Sequence, residues 1–183
     1  LPLKPFTPAL GLGNPHIQTL WGPLWRTKPA IEHRRERLWL KDGDFLDLDW
    51  HGTPSAHAPV VLVLHGLTGS SNSHYVLGLQ NALAAVGWTS AALNWRGCSG
   101  EPNLLARSYH SGASEDLAEA VAQLRASHPL APLYAVGYSL GGNVLLKYLG
   151  ESGSNSSLQG AVAVSVPFRL DQCADRIGLG FSR

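Results

Sequence analysis

A chain of 183 residues, 44% hydrophobic and 15% charged, is long enough to bury one substantial core, which excludes a disordered chain or a coiled coil. Its formal charge of +1 comes from interspersed acids and bases, so no field is expected that would draw in nucleic acid or an anionic membrane; a neutral or weakly charged small molecule fits better as partner. Two cysteines, Cys98 and Cys173, stand in no metal or redox spacing, and no apolar run approaches the ~18 residues of a membrane span, so a zinc finger, a disulfide framework and a spanning helix are excluded and a reducing, cytoplasmic setting is expected.

The chain opens on Leu1 and contains no methionine, so a fragment at both ends is expected, and the Pro-rich opening Leu1 to Pro8 lacks the apolar stretch of a signal peptide. Residues 1–30, rich in Pro, Gly and Trp without helical or strand periodicity, are predicted to form an ordered arm that wraps the domain through Trp21 and Trp25. Residues 31–183 are then the N-terminal part of a single, incomplete domain. The run His33-Arg34-Arg35-Glu36-Arg37 is the densest basic stretch; an acid interrupts it, and it is read as the solvated flank of a strand. Arg37 to Leu40 and Phe45 to Trp50 alternate apolar and polar residues around Asp42-Gly43, which predicts a β-hairpin.

After a Pro/Ala/His linker from Thr53 to Pro59 the pattern changes. Val60 to Leu64 is a continuous β-branched apolar run, as expected of a strand covered on both faces. Tyr75 to Val86 predicts a helix closed by Gly87, Thr89 to Leu93 a strand, and Ser114 to Ser127 a helix capped by Ser114 with Glu115 and Asp116 in its first turn. Leu133 to Val136 predicts a strand, Gly141 to Leu149 a helix, and Ala161 to Val166 another buried strand after a Gly/Ser/Asn loop from Gly150 to Ser157, whose Asn155-Ser156-Ser157 is taken as a chance glycosylation match. An antiparallel hairpin followed by βαβαβαβ demands an α/β fold, a mostly parallel doubly wound sheet.

Gly137-Tyr138-Ser139-Leu140-Gly141 contains Gly-x-Ser-x-Gly, a pattern that 20 glycines would produce by accident roughly 0.2 times, so context decides. Here it follows a buried strand and opens a helix, the arrangement that projects a serine Oγ above the carboxyl end of a sheet. The glycines allow helix and strand to crowd around a strained backbone. His65-Gly66-Leu67 directly follows the first parallel strand, where a loop can supply half of an oxyanion hole; the expected donors are the backbone N–H groups of Leu67 and Leu140.

In this strand order a Ser triad runs Ser, Asp or Glu, then His along the chain, and no histidine follows Ser139. His65 is therefore expected to be structural, bonding the loop backbone, and His74 and His110, which also precede Ser139, to be loop or surface residues without metal-ligand spacing. Glu151, Asp171 and Asp175 follow Ser139, with Asp171 a remote candidate for the acid.

Together with these motifs, Asn14-Pro15-His16-Ile17-Gln18-Thr19, Gly69-Ser70-Ser71-Asn72-Ser73, Asn94 to Asn103 and Tyr109-His110-Ser111-Gly112 make the chain resemble the YheT-like branch of the α/β-hydrolases, bacterial serine esterases related to membrane-anchored lipid esterases of animals. The resemblance covers nearly the whole chain. It implies cleavage of carboxylic esters through an acyl-enzyme on Ser139, with an apolar acyl group as a guess and no metal or organic cofactor needed. The Asp and His would come from beyond residue 183, so the chain alone is expected to be inactive, and Pro167 to Arg183 would lead into a helical cap lining the acyl pocket. The animal relatives carry a membrane anchor before the arm, and no such segment occurs here. Two other readings stay open: an acyltransferase using the same serine, and a binding protein that keeps the fold without catalysis.

Overall fold

The computed structural model describes residues 5–53 and 55–179; the first residues of the Pro-rich opening and the Phe181-Ser182-Arg183 end of the expected cap lead-in lie outside them. Six strands form one sheet: β1 (Arg34–Trp39), β2 (Phe45–His51), β3 (Val60–Leu64), β4 (Thr89–Asn94), β5 (Leu133–Tyr138) and β6 (Gly160–Val164), in the order β1-β2-β4-β3-β5-β6. The hairpin β1–β2 and its junction with β4 are antiparallel, whereas β4, β3, β5 and β6 run parallel. The sheet is thus the mostly parallel α/β sheet that the sequence predicts.

Strand β3 lies at the centre because every residue of its apolar run finds cover. Val60, Leu62 and Leu64 face α3 (Ser114–Ser127) and α4 (Leu140–Ser152) through Leu117, Leu124, Val144 and Leu145, while Val61 and Val63 face α2 (His74–Ala85) through Val76. Each such side chain contributes about 1.5–3 kcal/mol on burial. This core fixes the end of β3 beside the end of β5, which positions the site.

Several expectations are corrected. Although its apolar and polar residues alternate, β2 is buried from Phe45 to Trp50, because it sits between β1 and β4. Its acids are partnered across the hairpin: Arg35 lies opposite Asp49 and Arg37 opposite Asp47, each as a guanidinium fork at 2.8–2.9 Å. The basic run is therefore in the strand itself rather than flanking it, with Arg34 and Arg35 exposed as expected. Ser114 does not cap α3; its Oγ donates to Glu151 and accepts from Lys147 on α4, a tertiary use that replaces the local one. Strand β6 is not buried but stands at the sheet edge with Val162 exposed. The stretch from Gly150 to Ser157 is not wholly loop, since α4 runs on to Ser152 and a short 3-10 turn follows at Gly153–Asn155.

The arm also differs. Residues Pro15–Trp25 form a helix, α1, whose N-cap Asn14 accepts hydrogen bonds from the backbone of His16 and Ile17. Trp21 and Trp25 do not anchor it: they stack on each other, 5.4 Å between centroids, and remain largely exposed. The arm instead touches the body where Gly22 lies against His74 and Lys28 Nζ donates to the Asn72 carbonyl. No helix among the described residues is long and apolar enough to cross a membrane.

A buried charge network ties the loop after β4 to the hairpin. The Arg96 guanidinium donates to both oxygens of Asp116 at 2.8 Å and to Asp44 at 2.9 Å, and pairs with Asp42 at 2.8 Å. Burial pushes the Asp44 carboxyl up, but donors from Asn103, the Leu104 and Phe45 backbones and Arg96 outweigh it and hold the pKa at about 2. A buried charge persists only when paired and hydrogen-bonded in this way. Much of the Asn94 to Asn103 motif is accordingly architectural: Asn94 bridges Asp49 and the backbone of Ser71, and Asn103 binds Asp44.

Candidate active site

Strand β5 ends at Tyr138 and α4 begins at Leu140, so Ser139 alone turns the chain, at φ +51° and ψ −116°. That conformation costs an L-residue about 1–3 kcal/mol and persists only where its surroundings enforce it. Here the Ser139 N–H donates to the Val164 carbonyl at 2.8 Å, and the Ser139 carbonyl accepts from the Asn143 N–H at 3.0 Å. Neighbouring glycines supply the space. A Cβ on Gly137 would lie 2.6 Å from the Gly141 carbonyl oxygen, and one on Gly141 would lie 2.6 Å from the carbonyl oxygens of both Leu64 and His65.

The loop after β3 reaches the same point: a Cβ on Gly66 would sit 3.2 Å from Ser139 Cβ. Gly66 to Gly69 form a tight turn, closed by the Gly69 N–H on the Gly66 carbonyl at 3.1 Å, with Thr68 at φ +56° in its third position. A positive φ there is the type II pattern. Leu67, Ser139 and Leu140 line one cavity of about 660 Å³, and neither the Leu67 nor the Leu140 N–H finds an acceptor among the described residues.

His65 is buried behind this turn. Its Nδ1 lies 2.7 Å from the Gly66 carbonyl oxygen and its Nε2 3.3 Å from the Trp95 N–H, an arrangement met by the neutral tautomer with the proton on Nδ1. Burial pushes its pKa down to about 4, against a smaller upward pull from the Gly66 carbonyl. Both ring nitrogens are occupied, so the side chain holds the loop rather than waiting for a proton. A free histidine titrates near 6.5, so the unfolded chain binds the extra proton between about pH 6.5 and 4 and the folded chain does not. Denaturant unfolding is expected to show stability falling by about 1.4 kcal/mol per pH unit across that window from this group. The slope of a His65→Asn variant should be shallower by that amount; equal slopes would remove His65 as its source.

None of the other candidates is among the residues that line the cavity. His110 is exposed and accepts from the Gly112 N–H, and His74 is half-buried at the start of α2. Glu151 pairs with Lys147 near the far end of α4, roughly 18 Å along the helix from Ser139 at 1.5 Å per residue. Asp171 pairs with Arg169 at an exposed position, and Asp175 is exposed. Among the described residues no cluster of three or more His, Cys, Asp or Glu could hold a metal ion.

The cavity's outer wall is α5 (Leu170–Ile177), which turns Leu170, Cys173, Ala174 and Ile177 towards Leu67 and Ser139. It arises within the Pro167 to Arg183 stretch expected to lead into a cap. Cys173 and Cys98 are both unpaired thiols. Sequence reasoning missed two residues that touch the turn, Tyr75 and Tyr109, because a tyrosine in a helix or loop carries no local sign of what its hydroxyl meets.

The profile of the alpha/beta hydrolase fold matches residues 59–183. Over 97% of its length the chain is 43% identical to the candidate esterase YheT of Escherichia coli, of which it covers 53%. It is 34% identical over 87% of its length to phospholipase ABHD3 of Bos taurus, of which it covers 41%. The chain thus spans about half the length of the curated relatives it matches. Among solved structures, the Pyrococcus furiosus esterase Pf2001 superposes with a TM-score of 0.68 at 23% identity, covering 85% of this chain and 62% of that one.

Proposed function

We propose, because this chain belongs to the alpha/beta hydrolase fold family, that Ser139 is the nucleophile of a carboxylic-ester hydrolase that works through an acyl-enzyme. The observation that carries the proposal is the strained Ser139 turn, opening onto a largely apolar cavity beside two backbone N–H groups that have no acceptor among the described residues. The Ser139 Oγ attacks the ester carbonyl as its proton passes to a base, and the tetrahedral oxyanion is received by the N–H groups of Leu67 and Leu140. Collapse expels the alcohol, and water then releases the acid. No histidine follows Ser139 in these 183 residues, so on this reading the base comes from a part of the protein outside them, and the 183 residues alone do not turn over.

The largely apolar lining of the cavity favours an apolar acyl group, and the likeness to a protein named a phospholipase supports a lipid-type ester. The test is hydrolysis by the natural full-length protein of p-nitrophenyl esters of increasing acyl length. Activity that rises with chain length supports the reading; inertness towards every ester contradicts it.

The donor assignment has its own test. Position 67 is the second residue of the turn, where a type II geometry tolerates proline, so Leu67→Pro removes the N–H with little other change. Leu67→Pro is expected to lower kcat by ~10²–10³-fold, as loss of one oxyanion donor does, while Leu67→Ala changes it only mildly. Full activity in Leu67→Pro would remove Leu67 from the oxyanion hole.

A further inference from the structure

We infer that Tyr75 and Tyr109 are positioning residues that clamp the Gly66-Leu67-Thr68 backbone from both sides and so aim the Leu67 N–H at the oxyanion; the inference rests on the esterase reading of Ser139. The geometry is direct. The Tyr75 hydroxyl oxygen, carried by α2, accepts the Gly66 N–H at 3.0 Å, and the Tyr109 hydroxyl oxygen, carried by the loop before α3, accepts the Thr68 N–H at 2.9 Å. These are the N–H groups immediately before and after that of Leu67. Two peptide planes are thereby fixed, and the Leu67 peptide between them has little freedom left.

A clamp is needed because the turn is under strain. Thr68 is β-branched, yet it sits at φ +56°, a region such residues rarely enter. Rotating the peptide between Leu67 and Thr68 would return Thr68 to negative φ, but it would also turn the Thr68 N–H away from Tyr109. The hydrogen bond to Tyr109 therefore selects the strained form. Both phenols are themselves braced: the Tyr75 ring packs on Tyr138, 4.7 Å between centroids, and the Tyr109 ring stacks on Trp95 at 6.4 Å. Tyr75 also lies close to the turn's far end, where a Cβ on Gly69 would meet its hydroxyl at 2.9 Å.

The experiment compares Tyr75→Phe and Tyr109→Phe with wild type and Ser139→Ala in the natural full-length protein, using a p-nitrophenyl ester and a trifluoromethyl ketone, which forms a tetrahedral adduct resembling the transition state. Each phenylalanine variant keeps the ring packing and loses only the hydroxyl. The expected result is a fall in kcat of ~10–10²-fold with KM within about twofold, and a matching weakening of the ketone, since a misaimed donor loses part of what a missing one would. Thr68→Gly in the Tyr109→Phe background should restore most of kcat, because glycine holds a positive φ without strain and needs no clamp. Unchanged kcat in both phenylalanine variants, or a loss confined to KM, overturns the inference, as does failure of Thr68→Gly to rescue. If Ser139→Ala is as active as wild type, the esterase reading itself has failed; if Ser139→Ala is inactive and the tyrosine variants are normal, only the clamp has.

Discussion

Ser139→Ala in the natural full-length protein is expected to lower ester hydrolysis by about 10⁴-fold or more, the scale seen when the nucleophile of a Ser triad is removed. The protein should remain folded, because the hydroxyl makes none of the contacts that hold the turn. Those are backbone bonds, the Ser139 N–H to Val164 and the Asn143 N–H to Ser139, and they survive the substitution. Alanine bears a Cβ as serine does, so the strain at φ +51° is unchanged. Stability by denaturant titration and activity by ester hydrolysis should therefore separate. Covalent uptake of a fluorophosphonate should vanish with activity. Ser111 also lines the cavity but sits in no strained turn, so Ser111→Ala should still take up the label. Labelling of Ser139→Ala at the wild-type rate would move the nucleophile elsewhere.

The second large effect is on stability. Gly141→Ala would place a Cβ 2.6 Å from two carbonyl oxygens, those of Leu64 and His65, and both belong to backbone at the end of the central strand. Neither can yield without moving β3 away from α4. A loss of about 3 kcal/mol or more is expected, at the upper end of what overpacking causes. For a domain of this size that corresponds to a fall in Tm of roughly 6–12 °C. Gly150, near the other end of the same helix, has nothing within 4 Å of its would-be Cβ. Gly150→Ala should therefore raise stability by roughly 0.5–1 kcal/mol through helix propensity alone. A Gly141→Ala protein as stable as wild type would mean that helix and strand are not crowded at the turn.

Much of this was legible in the sequence because the signals are local. The β-branched run from Val60 to Leu64, the spacing of strands and helices, and the Gly-x-Ser-x-Gly segment between a strand and a helix each report a backbone preference that the tertiary structure keeps. What was not legible depended on partners distant in sequence. Asp47 and Asp49 alternate with Leu46 and Leu48 as solvent-facing residues would, and only the register of β1 shows that Arg37 and Arg35 meet them. Ser114 carries every mark of a helix cap, but Lys147 and Glu151 on α4 take its hydroxyl. The helix α1 was a different failure: Asn14 followed by Pro15 is a good N-terminal signal, and Gly22-Pro23 within the helix obscured it. Ser139, Leu67 and Leu140 were singled out in the sequence and line one cavity, whereas the Tyr75 and Tyr109 contacts join residues 9 and 41 positions apart and left no trace in the pattern.

The claim that Ser139 is the nucleophile is tested most directly by locating the covalent label. The natural full-length protein is treated with a fluorophosphonate, digested with trypsin and sequenced by mass spectrometry. The adduct is expected on Ser139, within the peptide from Ala126 to Lys147. An adduct on another residue, or ester hydrolysis that persists with no adduct on this peptide, would contradict it.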